Sequence, residues 1–469
     1  MAPPDVTLVK LFVGSAATAL LLAGVVLRRL GEADRFLQLR DAALALLGVV
    51  GALCWWNLFQ LEGRGFVQGH EQFHYFVGAK YFRELGYTRL YACTAVADAN
   101  AVPREHLEGW LIRDLASNRL VPIGTAIDHP ERCTAHFDPP RWREFQQDVA
   151  WFRDRITPWK WRWLVMDHGY NAPPAWGVLA IPIANFLDVS ASSIVWASRI
   201  DPLLQLVMWG VVAWAFGWRV LCVALIFWGT NGLGEFSFVG GGYLRQDWLC
   251  AAVAGLCALR REKHLAAGVL LATAALLRLI PIVLILAFAL GALIVVVRER
   301  SWRPAPAHRR FAAGCGLALL IFVPLSGVTS GFESWPRFVE NIRLHRGTPL
   351  LNNLGLRTLA SYDSDNAIPD DFSNEKAARW KRGRDEAFSA NAWWMAVGGL
   401  LFAALLARAA ARSPGWVAAV LGVGAAVIFL EVTAYYYALL IAYALLSERD
   451  GVAGPVICGF AVLSLALSA

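Results

Sequence analysis

Residues 244–281 read LRQDWLCAAVAGLCALRREKHLAAGVLLATAALLRLIP. Two apolar runs, 248–259 and 265–277, flank the basic turn Arg260-Arg261-Glu262-Lys263, with Arg245, Asp247 and Arg278 closing the outer ends. Charge confined to the turn and the ends suits a pair of membrane-embedded helices better than a soluble helix pair, which would carry polar residues along one face. The pattern recurs outward from this pair. Apolar runs lie at 8–27, 42–59, 175–187, 194–216, 281–297, 311–328, 392–407, 416–430, 434–446 and 452–467, which with the pair makes about twelve spans. The expected fold class is all-α, a polytopic transmembrane helical bundle forming one integral membrane domain over 1–469.

The composition excludes a soluble globular domain, with 57% hydrophobic and 17% charged residues and a mean hydropathy of +0.46. The net charge of +7 sits mostly in short loops beside apolar runs, so it reads as topology rather than as a nucleic-acid surface. Arg28, Arg29, Arg35 and Arg40, then Arg260, Arg261 and Lys263, then Arg298, Arg300, Arg303, Arg309 and Arg310, then Arg408 and Arg412 should all be cytoplasmic. They agree on one condition. The run 220–228 must not cross, and at about ten residues it reads as re-entrant or interfacial. Both long polar stretches, 60–172 and 329–391, then lie outside. The first run lacks a basic leader and a cleavage-site pattern, so it is expected to be a retained span.

Within the first stretch, 69–87 reads as an amphipathic helix lying on the membrane surface, with Phe73, Phe76, Val77, Tyr81 and Leu85 on one face and Lys80, Arg83 and Glu84 on others. The remainder is water-soluble material able to form a small cap. Six cysteines, Cys54, Cys222, Cys250, Cys257, Cys315 and Cys458, lie in or beside apolar runs and read as small hydrophobes. Cys93 and Cys133 sit in the polar stretch, and whether they pair is left open by the sequence.

The chemistry-bearing residues fall into three groups. His70-Glu71-Gln72-Phe73-His74-Tyr75 places two imidazoles one turn apart with a carboxylate between them, the HExxH pattern of zinc proteases. Glu71 and Asp167 bracket the first outer stretch, and folding can bring them to one cleft with His168, Tyr170 and Asn171. The second group follows three glycines, 240–242, with Arg245 and Asp247, joined by Arg278 on the same face. The two guanidiniums could clamp a phosphate; alternatively Arg245 pairs with Asp247 and Arg278 snorkels. Asn341, His345, Arg346, Asn352 and Asn353 form the third, suited to sugar hydroxyls and phosphate oxygens or simply to a solvated loop. Tyr435, Tyr436 and Tyr437 read as an interfacial aromatic belt, and Arg199 with Asp201 as a mutually satisfied pair.

Three stretches together resemble the GT-C superfamily of polytopic glycosyltransferases, and within it the polyprenol-phosphate-sugar mannosyl- and arabinofuranosyltransferases. They are 71–91, EQFHYFVGAKYFRELGYTRLY; 169–183, GYNAPPAWGVLAIPI; and the 244–281 pair. The first is similar to the family's acid and spaced Tyr, here with Glu71 where Asp is usual. The second is similar to its Tyr-x-x-Pro-Pro start of a span. The resemblance implies transfer of a sugar from a polyprenyl-phosphate-linked donor to an acceptor hydroxyl of a glycan, lipid or protein, at the extracytoplasmic face of a bacterial inner membrane, in building the cell envelope. Glu71 would be the general base, with Asp167 beside it. Arg245, Arg278 and Arg346 would balance the leaving lipid phosphate, and Asp167, His168, Tyr170 and Asn171 would line the acceptor side. His70 and His74 would orient Glu71. No cofactor is required on this reading, although a divalent metal is compatible with it. The alternatives are a membrane zinc metalloprotease, with His70 and His74 as ligands and Asp167 or His168 as a third, and a non-catalytic membrane subunit or transporter.

Overall fold

The computed structural model describes residues 5–60, 66–300, 304–346, 348, 350, 352–364 and 373–468; Arg303 and the side chain of Arg346 lie outside the described residues. The chain is mostly helical, with short two-stranded pairings besides. Five helices among the described residues, Val6–Arg29, Leu37–Trp55, Ile282–Glu299, Pro306–Ser330 and Asn374–Ala410, are long and apolar enough to cross a membrane. This is a helical membrane protein.

Its helices run between two unlike ends. At one end Arg260 pairs with Glu448, Arg219 with Asp41, and a cavity of about 810 Å³ is lined by Arg260, His264, His308 and Arg449. The basic turns grouped by sequence meet here. At the other end lie the first polar stretch, the 240–246 loop and Arg278.

Two expectations about which runs travel between these ends are corrected together. The 220–228 run belongs to the helix Trp218–Thr230, which lies parallel to Leu37–Trp55 along its length. Arg219 meets Asp41, Gly48 abuts Cys222, Gly51 abuts Ile226, and Trp228 stacks on Trp55. Backbones this close need glycine, since a Cβ at Gly229 would sit 1.7 Å from the Gly51 carbonyl oxygen. This segment therefore makes the same end-to-end passage as its partner, and Asn231–Gly234 supplies the length the apolar count lacked. Conversely 175–187 becomes the helix Gly177–Phe186, about 15 Å long. It stays at the outer end, where Asn185 accepts a hydrogen bond from Arg141 of the cap and Tyr243 donates to the Ala180 carbonyl. The two corrections cancel, so both long polar stretches still share one end.

Other boundaries moved for local reasons. The 434–446 run forms a 3-10 helix, Ala434–Glu448, whose rise of about 2.0 Å per residue lets 15 residues cover about 30 Å. Within 329–391 the described residues form the helix Ser334–Arg346, the short strand Asn353–Leu354 and the helical turn Leu356–Ala360, and from Asn374 onward they belong to the long helix Asn374–Ala410, started by the Ser373 hydroxyl accepting from the Lys376 amide.

The first polar stretch folds as a cap. Helix Leu90–Ala99 is bridged to Glu131–Thr134 by a Cys93–Cys133 disulfide, and a hairpin pairs Leu111–Asp114 with Arg119–Pro122. Helix Pro139–Arg153, capped by Asp138 and begun with proline, covers them. The supposed surface helix 69–87 is not amphipathic in place. It is segmented into Gly69–Gln72, a π-helical turn Phe73–Val77, Gly78–Lys80 and Phe82–Leu85, ending at Gly86. Buried residues occupy both its faces, because the cap covers the side that was to meet water. Even Lys80 is buried, its ammonium 2.8 Å from both Glu144 and Asp148.

Candidate functional site

Glu71 stands in the first turn of the segmented helix, and the 240–246 loop is folded to reach it. Gly241 has φ +68°, and a Cβ there would lie 1.8 Å from the Phe66 carbonyl oxygen. Its own carbonyl accepts from the Gln68 amide and the Gln72 side chain, at 3.2 and 3.1 Å. From helix Ala191–Phe216, Asp201 accepts the backbone N–H groups of Arg245 and Gln246, at 2.7 and 3.2 Å. With the loop pinned at both points, Arg245 Nε comes 2.6 Å from Glu71 Oε2. Neither atom makes an aligned hydrogen bond, so the contact is a meeting of charges rather than a directed bond.

Aromatic rings shape the surroundings of this pair. The Arg245 guanidinium lies 3.8 Å from the Tyr75 ring centre and 5.2 Å from that of Tyr435. Arg278 approaches the same Tyr75 ring and that of Trp176, both at 5.6 Å. Its Nη1 donates to the Leu277 carbonyl, while Nη2 is buried with no hydrogen-bond partner among the described residues. The Tyr75 hydroxyl donates to Asn171 at 2.7 Å. Two guanidiniums thus converge on one tyrosine beside one carboxylate. Such a group can hold an anionic oxygen and accept a proton within the same few ångströms.

A second cluster abuts the first. His70 Nε2 and Asp167 Oδ2 lie 3.0 Å apart, with 43% and 44% of their side-chain surfaces exposed. Burial works to lower the His70 pKa, but the hydrogen bond and charge of Asp167 outweigh it and hold it above the ordinary value. For Asp167, burial acts upward, and the His70 hydrogen bond with the surrounding imidazoles overcomes it, keeping the carboxyl well below its usual range. His74 is different. Burial, and then the charge of His70, push it down to about 3, and its Nε2 lies 2.5 Å from the Tyr91 hydroxyl, which accepts from the Gly169 amide.

Of the residues expected in the site, Glu71, Tyr75, Asn171, Arg245 and Arg278 come together, and Asp167 joins through His70. His70 and His74 do not orient Glu71; Arg245 does. Tyr170 is a packing residue, 3% exposed among Tyr75, Phe82, Tyr87 and Trp176. His168 hydrogen-bonds Asn118 and faces His345 with ring centres 5.7 Å apart, next to Asp167 rather than Glu71. Burial and then Arg113 push His168 down to about 3. Asp247 accepts from the Trp248 amide at the start of its own helix, and of the two alternatives for Arg245 its pairing with Asp247 is not the one seen, the guanidinium meeting Glu71 instead. Arg278 is buried and does not snorkel. The Asn352 carbonyl accepts from the Ala434 amide, and Asn353 pairs with Thr433 in the short ladder of Asn353–Leu354 with Val432–Thr433.

Sequence reading missed three contributors. Asp201 was paired with Arg199, which instead lies over Trp196. Tyr435 was assigned to an aromatic belt and faces Arg245 instead. Tyr91 is the last residue of the 71–91 stretch and carries no expectation of its own. An acid about two turns into an apolar run is a usable signal for the first; position alone reveals neither tyrosine. No protein-family model, no curated protein and no solved structure matches this chain.

Proposed function

We propose that this chain is a polytopic glycosyltransferase of GT-C type, moving a sugar from a polyprenyl-phosphate donor to an acceptor hydroxyl at the extracytoplasmic face of a bacterial inner membrane, through about twelve crossings. The observation that carries the reading is the convergence of Glu71, Arg245 and Arg278 on Tyr75. Glu71 takes the acceptor's proton as its oxygen attacks the anomeric carbon. The bond from that carbon to the phosphate oxygen breaks, and its electrons leave on the lipid phosphate. Arg245 and Arg278 balance that growing charge in a site where rings displace water. The placement of such a site at a membrane surface suits a donor whose isoprenoid chain stays in lipid while its sugar meets water.

The test is consumption of a polyprenyl-phosphate sugar by purified protein. Glu71→Gln should lower the rate on the order of 100-fold or more in a protein that remains folded. A Glu71→Gln protein that still consumes the donor removes the assignment. A second reading, a zinc metalloprotease, is favoured by the proximity of His70, His74 and Asp167. Against it, Glu71 faces Arg245, whereas a protease needs that carboxylate turned to the metal-bound water.

A further inference from the structure

We propose that His70, His74 and Asp167 form a binding site for a divalent transition metal, Zn²⁺ before others, adjoining the Glu71–Arg245 pair. One ligand atom from each lies within 4.8 Å of the others. The two imidazoles have ring centres 4.4 Å apart on one helical stretch, and Asp167 arrives from the far end of the cap to within 3.0 Å of His70 Nε2. To share an ion at ordinary bond lengths of about 2.0–2.2 Å, the widest pair draws together by roughly 1 Å, within reach of side-chain rotation at the half-exposed His70 and Asp167.

The donor set and its surroundings select the ion. Two imidazoles and one carboxylate suit Zn²⁺ or Fe²⁺ better than Mg²⁺ or Ca²⁺, which take oxygen. The Cys93–Cys133 bridge in the same cap marks an oxidising compartment, which favours redox-inert Zn²⁺ over Fe²⁺. Tyr91 Oη lies 2.5 Å from His74 Nε2, so the phenol stands directly beside one of the three donor groups. Gly169, two residues after Asp167, holds the phenol in place with its amide.

The partial exposure of His70 and Asp167 leaves the ion an open side, as in zinc sites that bind a substrate oxygen. His70 also lines a groove of about 590 Å³ between Gln68, Trp151, Trp159, Lys160, Trp163 and Ile194. Resting on the reading of the previous subsection, the oxygen that completes the ion is one from the donor's phosphate. The metal site itself does not depend on that reading.

The experiment uses full-length protein in detergent, stripped with chelator and titrated with Zn²⁺, then with Co²⁺, whose visible absorption reports nitrogen and oxygen ligation. One saturable ion per chain is expected. His70→Ala and Asp167→Asn, at half-exposed positions, should each weaken it at least tenfold in a chain that stays folded. Glu71→Gln and His168→Ala should bind as the native chain does. No saturable binding, or binding indifferent to both His70→Ala and Asp167→Asn, overturns the site. Zinc retained by a Glu71→Gln protein that has lost transfer supports both proposals. Binding by a native protein that transfers no sugar supports the metal site while removing the transferase, and transfer unchanged in a chain that binds no metal does the reverse.

Discussion

Two clusters of buried charge, only a few turns of one segmented helix apart, are built to opposite standards. Around Lys80 every strong group has a directed partner. The ammonium meets Glu144 and Asp148, the Tyr81 hydroxyl donates to Asp148 at 2.7 Å, and Arg141 reaches Glu84, Glu144, Asn185 and the Lys80 carbonyl. Around Glu71 the pairing is incomplete. Arg245 Nε and Glu71 Oε2 touch without alignment, and Arg278 Nη2 has no hydrogen-bond partner among the described residues. A satisfied network fixes a fold, whereas donors left over at this density are what a ligand's oxygens would complete. The difference separates the cap's fastening from the site it covers.

The sharpest way to break this comparison is to remove one charge from each cluster. Lys80→Met leaves the buried Asp148 without its cation and beside the half-exposed Glu144, and should cost about 3–5 kcal/mol of cap stability. Thermal unfolding followed by tryptophan fluorescence measures it, and adding Asp148→Leu should recover much of the loss. The cap's other fastening comes next. Cys93→Ser with Cys133→Ser opens a 40-residue loop and should cost about 2–4 kcal/mol, seen as earlier protease cleavage between the two positions. Arg278→Gln, in the incomplete cluster, should change stability by about 1 kcal/mol or less while weakening phosphate-dependent binding of a polyprenyl phosphate. A loss as large as that of Lys80→Met would show that Arg278 is a fold residue after all.

The smallest effect concerns pH, in chelator-treated protein. His70 is raised above its ordinary 6.5, so its contribution to stability is full below that value and fades as pH rises through the folded pKa. Asp167 is lowered from 3.8, so its contribution is full above 3.8 and fades as pH falls toward the folded value. In the difference between native protein and Asp167→Asn, which cancels the acid-side loss imposed by buried neutral His74 and His168, the two sum to a broad maximum between about pH 4 and pH 6.5, with a decline on either side. Asp167→Asn should flatten both limbs of the melting-temperature profile. A melting temperature that climbs from pH 6.5 to 8 in native protein and not in the variant would contradict the pairing.

Much of the fold was legible because apolar run length and arginine placement are local properties, readable without neighbours. The errors came where length was the only guide. The run 220–228 looked too short because its last stretch, through Asn231 and Gly234, is polar yet buried by its own hydrogen bonds to Phe227 and Trp228. Helix Gly177–Phe186 looked like a span because it is apolar, but its apolar surface serves the cap junction. The site was half legible for a similar reason. Glu71, Arg245 and Arg278 stood out as ionisable residues at ends of apolar runs, whereas the partner each would choose depended on long-range folding. Asp201 illustrates the limit: its two backbone donors lie 44 and 45 residues away.

Gly241 carries a consequence of its own. The placement of Arg245 is transmitted from Phe66 through a backbone contact in which one hydrogen atom is all that fits. The loop is therefore a calibrated spacer, its dimension set by the absence of a carbon. The charged residues supply the chemistry, but their separation is measured out by the smallest residue in the loop, which has no functional group at all.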